Sequence, residues 1–267
     1  MMLRQSLNLK KVPNARQLGG YTAANGLRVK KDVLLRTGLL AGATEEDLAA
    51  LKALGLTTIV DFRTEEEALQ HPDPKIEGVT NYMVPVLEEN SEGLMAIVEV
   101  YRQHADEVGK AFVEMVRSGG LTERMYTGFF DSKVSMALFR KFFDILLAHE
   151  QGAVLWHCTG GKDRTGVATV MLLGVLGVDD ETILADFSLT NAMNQRRIDY
   201  IKNEAAKYTS DPSEIEQAGV LAGVSVPFMQ KVIDIANAES GSLKAFVQNK
   251  VSLTDEEVEV LRKKFLE

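Results

Sequence analysis

The sequence predicts an α/β protein in which a mostly parallel central sheet is flanked by helices. Three observations lead there. Apolar residues make up 45% of the 267, enough to fill a sizeable core. Short β-branched runs are interleaved with capped helical patterns, the order that sets strands side by side in parallel. Finally, Ala153-Val-Leu-Trp-His157-Cys158-Thr-Gly-Gly-Lys-Asp-Arg164-Thr165-Gly166 passes from a buried strand through a glycine-bearing loop into an apolar helix, a complete strand–loop–helix unit.

Taken in order, residues 27–29 and 33–36 flank a turn at Lys31-Asp32 and read as a small hairpin, after an earlier turn at Asn25-Gly26. Thr44 caps a helix with acidic residues in its first turn and Leu48, Leu51 and Leu54 on its core face, closed by Gly55. Thr57–Val60 is a strand ending at Asp61-Phe-Arg63, and Thr64-Glu-Glu-Glu67 opens another helix. Residues 80–86 form a strand stopped by Pro85. Residues 91–117 and 122–149 are helical, interrupted at Gly119-Gly120, with Met136, Phe139, Phe142, Phe143 and Leu146 as core.

After the glycine loop, Val178-Asp-Asp-Glu181 starts a long helical tract broken around residues 209–212. Residues 195–235 read as a helical subdomain on the sheet edge or as a lid over a site. Thr254 caps a final helix. Gly-Ser punctuation at 240–242 is too short for an interdomain linker, so one domain over 1–267 is expected.

A net charge of −8 argues against a nucleic-acid partner, which calls for a basic face. The single cysteine rules out an intramolecular disulfide and a Cys-based zinc site. His71, His104 and His149 lack metal-ligand spacing and read as structural or solvated, so no metal is expected. The N-terminal apolar run is too short for a signal peptide and no 18-residue apolar stretch suggests a membrane span. A cytoplasmic home is the default expectation, although a trimmed secreted form would look the same.

The glycine loop carries the chemistry. Gly160 and Gly161 let the backbone fold so that N–H groups point inward, and the following helix start adds its dipole, so the segment suits a dianion such as phosphate. The same field favours a thiolate at Cys158. Arg164, six residues on, can reach back as a two-pronged donor. Thr159, Gly160, Gly161, Lys162, Asp163 and Thr165 complete the candidate binding set, and Asp61 and Arg63 end a strand where ligands sit in open α/β sheets.

His-Cys, five residues, Arg, Thr resembles the signature loop of the cysteine-dependent protein tyrosine phosphatases. The filling Thr-Gly-Gly-Lys-Asp looks like the bacterial branch of atypical tyrosine and phosphoinositide phosphatases. Asn14-x-Arg16-x-x-Gly19-Gly20-Tyr21 and Leu35-Arg36-Thr37-Gly38 resemble that branch's N-terminal signatures. The resemblance covers most of the chain, most strongly at 157–166. It implies a tyrosine-phosphatase-like fold and hydrolysis of phosphate monoesters on phosphorylated proteins or phosphoinositides, through a phosphocysteine and without cofactor. Cys158 would be the nucleophile, Arg164 the clamp and Asp61 the general acid, with Arg63 in support. Asp163 stands as the alternative acid. Lys162 either meets a second phosphate or faces solvent. His157 would order the loop, and Thr165 would stabilise the departing thiolate.

Three other classes fit this loop less well. A P-loop NTPase needs Ser or Thr after the lysine, where this chain has Asp163. A rhodanese-like sulfurtransferase uses a loop cysteine but is not favoured by Arg164-Thr165. A non-catalytic phosphate-binding module would be expected to lack Cys158 or Arg164.

Overall fold

The computed structural model describes residues 5–86 and 107–267. Among these residues five strands form one sheet: β1 Arg16–Gln17, β2 Leu34–Thr37, β3 Leu56–Asp61, β4 Thr80–Met83 and β5 Ala153–His157. Their order is β1-β2-β5-β3-β4, antiparallel between β1 and β2 and parallel elsewhere. The central strand β5 is buried along its whole length, as a parallel strand covered on both faces must be. Its side chains alternate between the layers. Val154 and Trp156 join the larger core, while Ala153 and Leu155 join a smaller one with Leu35, Leu51 and Ile59. In register, His157 lies opposite Thr37 on one side and Asp61 on the other, so three strands end level at one edge.

Helix α1 (Glu45–Ala53) covers the smaller core, and its start is held by a capping box between Thr44 and Asp47. Helix α2 (Glu65–Gln70) begins four residues beyond β3 with a second capping box, Thr64 with Glu67. Next come α3 (Val108–Arg117), α4 (Arg124–Asp131) and α5 (Lys133–Ala148). The helix expected over 122–149 is therefore two. Ser132 breaks it because its hydroxyl accepts from the Ser135 N–H and caps α5. Of the helix expected over 91–117, residues 91–106, with His104, lie outside the described residues.

Helix α6 (Asp163–Leu176) is buried from Thr165 to its end. It is the spine of the larger core, beside Trp156 and Phe142, whose rings meet edge to face at 5.5 Å. Helices α7 (Asp180–Met193), α8 (Gln195–Ala205), α9 (Pro212–Ala222), α10 (Val226–Ser240), α11 (Leu243–Val251) and α12 (Asp255–Phe265) follow. The tract 195–235 divides. Helices α8 and α9 pack with α3 in a separate apolar cluster around Phe112, Ile201 and Leu221, whereas α10 puts Met229, Val232 and Ile233 into the larger core. Among the described residues no single helix is long and apolar enough to cross a membrane.

The hairpin expected at 27–36 does not form. The Val29 N–H donates to the Tyr21 carbonyl and the Lys30 N–H to that of Phe265, while β2 turns inward to pair with β5. The turn at Asp32, with φ 58°, thus directs β2 into the sheet rather than folding it back on residues 27–29.

Candidate active site

The level edge of β2, β5 and β3 delivers Cys158, the loop 159–162 and the start of α6 to one place. Gly161 has φ 63°, and a Cβ there would lie 2.4 Å from the Thr37 carbonyl oxygen, so the loop presses on the end of β2 at a point only glycine fills. The Gly161 carbonyl accepts from Asn14 Nδ2 at 2.6 Å and Arg36 Nη2 at 2.9 Å, and the Thr159 carbonyl accepts from the Leu39 N–H at 3.0 Å. In a trans peptide the next N–H points the opposite way. Anchoring these carbonyls outward therefore turns the N–H groups of Gly160 and Lys162 to the loop interior, a cradle for anionic oxygens.

Both N-terminal motifs act beneath this loop. Arg16 and Arg36 are buried and share Asp186 of α7: Arg16 Nε donates to Oδ1 at 3.0 Å and Arg36 Nη1 to Oδ2 at 3.0 Å. Tyr21 donates to Oδ1 at 3.0 Å, and Arg16 also reaches Asn14 Oδ1 and, at 3.2 Å, Thr190 Oγ1. Burial pushes Asp186 up, but the two arginines outweigh it and hold the carboxyl below the usual range. Sequence reasoning missed Asp186, which carries no local signal.

Cys158 is 3% exposed at the floor of the loop. Arg164 is held from the side by Glu67: Nη1 donates to Oε2 and Nη2 to Oε1, each at 2.7 Å. Thr159 Oγ1 donates to the same carboxylate at 2.6 Å. Burial pushes Glu67 up, but the Arg164 contacts outweigh it and bring the carboxyl down to about 2. For Arg164, burial pulls downward and is outweighed by the Glu67 hydrogen bonds, so it stays charged. Glu67 was also missed. Its one sequence signal, the capping box, was read only as a helix start, yet Oε2 both accepts the Thr64 N–H at 2.9 Å and holds Arg164.

Asp61 and Arg63, expected at the substrate, are each 1% exposed and paired with one another. Arg63 Nε and Nη2 donate to Oδ2 of Asp61 at 3.0 and 2.7 Å, and the Arg63 backbone N–H donates to Oδ1 at 2.9 Å. Arg63 continues to Asp73 Oδ1 at 2.9 Å and the His71 carbonyl at 2.7 Å, so its donors are engaged within this buried cluster. His157 Nε2 lies 2.8 Å from Asp73 Oδ2. Burial pushes Asp73 up, but the His157 contact outweighs it and lowers the carboxyl. Asp61, Asp73 and His157 bring three potential ligand atoms within 4.8 Å of one another. Arg63 already lies against both carboxylates there and supplies the positive charge a cation would.

Asp163 opens α6 and is partly exposed. Its Oδ1 accepts from Tyr126 at 3.2 Å and its Oδ2 lies 3.2 Å from Lys162 Nζ. That amine also donates to the carbonyls of Leu221 at 2.6 Å and Gly223 at 3.1 Å, so Lys162 ties the loop to the end of α9. Thr165 Oγ1 is buried without a hydrogen-bond partner among the described residues. His149 lies apart, bonded to Thr58 and stacked on Phe265.

A family model described as the tyrosine phosphatase family matches residues 7–267. A Cupriavidus necator protein provisionally named a tyrosine-protein phosphatase is 36% identical over 196 residues, 72% of this chain and 65% of the relative. A tyrosine-protein phosphatase of Nostoc commune is 27% identical over 168 residues, 63% of this chain and 51% of that protein. The matches thus span just under two thirds and about half the length of these relatives. Among solved structures, a cysteine-to-serine variant of P. aeruginosa TpbA in complex with pTyr matches with 15% identity and a TM-score of 0.30, over 78% of this chain and 90% of that one.

Proposed function

This chain belongs to the tyrosine phosphatase family, and on that premise we propose that it hydrolyses phosphate monoesters, phosphotyrosine in particular, through a phosphocysteine intermediate. The observation that carries the reading is the cradle around Cys158: a lone buried cysteine under a loop whose Thr159 and Gly161 carbonyls are anchored outward, with Arg164 oriented from the side by Glu67. Phosphate oxygens fill the cradle and meet the face of Arg164 that Glu67 leaves open. Cys158 Sγ attacks phosphorus in line with the departing oxygen. The inward N–H groups and Arg164 hold the charge that builds on the equatorial oxygens.

The acid in this reading is Asp163. Asp61 is 1% exposed with both oxygens accepting from Arg63, so it is committed to that buried pair. Asp163 is partly exposed at the first position of α6 and lies on the same loop as the nucleophile. It protonates the ester oxygen as the P–O bond breaks, then takes a proton from the water that attacks the phosphocysteine. The Thr165 hydroxyl, buried and without a partner among the described residues, supports a role in receiving the thiolate as it leaves. Phosphoinositides are a less favoured substrate class, because the Lys162 amine that would meet a second phosphate already serves two carbonyls.

The test is phosphate release in EDTA from a phosphotyrosine peptide, a phosphoserine/threonine peptide, a phosphoinositide and a small aryl phosphate, with Cys158→Ser as the blank. Turnover of the phosphotyrosine peptide that disappears in the variant is expected. Failure on all four substrates, or equal turnover by Cys158→Ser, would overturn the proposal. Thiosulfate turnover would point to sulfur transfer instead.

A further inference from the structure

Tyr126 reaches the loop from α4, a helix outside the strand–loop–helix unit, and is fully buried. Its ring stands edge-on to Phe187 at 5.3 Å and 89°. Phe187 in turn closes on α6 at Gly166, where a Cβ would come within 2.7 Å of the ring. This stack fixes the ring from which the phenol hydroxyl projects. The hydroxyl has two partners: the Ser225 N–H at 3.3 Å, at the corner between α9 and α10, and Asp163 Oδ1 at 3.2 Å.

A backbone N–H can only donate. The phenol oxygen must therefore accept from Ser225, and its single proton is left for Asp163 Oδ1. From this we propose that Tyr126 is a positioning residue that holds the Asp163 carboxyl by Oδ1 and so fixes its orientation beside the nucleophile loop. The inference rests on the reading of Asp163 as the acid. In the first step the Asp163 carboxyl O–H bond breaks as the P–O ester bond breaks and the Cys158 Sγ–P bond forms. The proton and the P–O electron pair both end on the leaving oxygen. In the second step water's oxygen bonds to phosphorus, its proton returns to Asp163, and the P–S bond pair leaves with sulfur. Tyr126 donates to Oδ1 throughout and transfers nothing.

Two features support the assignment. Burial first, then the Asp163 charge, push Tyr126 well above the ordinary phenol range, so it remains a neutral donor wherever the enzyme works. The charged groups facing Asp163 are Lys162 and Arg164 of its own segment. The α9–α10 corner meets this network through backbone groups, the Leu221 and Gly223 carbonyls on Lys162 and the Ser225 N–H on Tyr126. Among the described residues, then, the one neutral donor to Asp163 is this phenol.

The test is Tyr126→Phe, which keeps the ring and its contact with Phe187. On a phosphotyrosine peptide kcat should fall roughly tenfold, a part of the 10²–10⁴ that general-acid help contributes. On an aryl phosphate with an acidic phenol kcat should change by less than about twofold, since that leaving group needs little protonation. The basic limb of the kcat profile should move to higher pH, because Asp163 loses a donor that favours its charged form. Site-specific 3-fluorotyrosine at position 126, a stronger donor, should move that limb the other way and keeps the test open if Tyr126→Phe does not fold.

Equal losses on both substrates, or a limb that moves with neither replacement, would mean Tyr126 only packs. Asp163→Asn in the same assay separates the two ideas. If it is sensitive to the leaving group and the Tyr126 replacements are not, the positioning role falls while Asp163 remains the acid. If Asp163→Asn is insensitive, both fall.

Discussion

Glu67 holds both terminal nitrogens of Arg164, Oε2 to Nη1 and Oε1 to Nη2, each at 2.7 Å across 97 residues of sequence. On the proposed reading, the arginine that clamps phosphate is thus aimed by a carboxylate from the helix after β3. Glu67→Gln keeps the shape and removes the charge. It should lower kcat/KM for a phosphotyrosine peptide by about ten- to a hundredfold, the cost of a misplaced reacting partner. The ordinary value for Glu67 is 4.5 and in the fold it lies at about 2. A carboxyl depressed on folding stabilises above its unfolded value and loses that contribution as pH falls through the folded one. The gap in thermal midpoint between wild type and Glu67→Gln should accordingly be constant from neutral pH to about 5, then narrow toward pH 2. A gap that does not vary with pH would show that the pair contributes nothing through its charge.

Cys158 is the sole cysteine and only 3% exposed, so reagents reach it through the mouth of the cradle. One equivalent of iodoacetate should inactivate the protein, and inorganic phosphate should protect it by filling the same cradle. Cys158→Ser should still bind vanadate. Alkylation at an unchanged rate in saturating phosphate would place the anion elsewhere.

Asp61→Asn separates stability from proton transfer. It removes the charge opposite Arg63 inside the sheet edge, where both are 1% exposed, and should cost about 3 kcal/mol, the lower end for a broken buried pair because Asp73 remains. Chemical denaturation measures this. Any loss of kcat should be the same for a poor and a good leaving group. A loss confined to the poor leaving group would return the acid role to Asp61.

Lys162→Ala should lower activity on a phosphotyrosine peptide and on a phosphoinositide by similar factors, because the amine anchors the loop to the carbonyls of Leu221 and Gly223. Hydrogen exchange at the α9–α10 corner should quicken in the variant. Selective loss on the phosphoinositide would show that the amine leaves those carbonyls to meet substrate.

The elements legible in the sequence were those whose causes lie within a few residues. The capping boxes at Thr44, Thr64 and Thr254 form as their spacing requires. The step from β5 through the glycines into α6 is likewise visible, because periodicity and glycine geometry are local properties. The 27–36 hairpin failed for a tertiary reason: Lys30 found a better partner in the C-terminal carbonyl of Phe265, and β2 found one in β5.

By itself, then, the sequence determined the α/β class, the loop that surrounds Cys158, and the candidate clamp and acid residues, since each rests on backbone preference or on spacing along one segment. Tertiary structure alone decided which of them are committed to buried pairs and which stay accessible. Asp61 and Arg63 look free in the sequence but satisfy one another when β3 is buried. Asp186 and Tyr126 carry no signal of their own and Glu67 only that of its capping box, yet Asp186 holds Arg36 from 150 residues away, Glu67 holds Arg164 from 97 and Tyr126 meets Asp163 from 37. The physical reason is desolvation. A charged or polar group taken out of water must find a partner, and which partner it finds depends on what the fold brings within 3 Å, not on what precedes it in the chain.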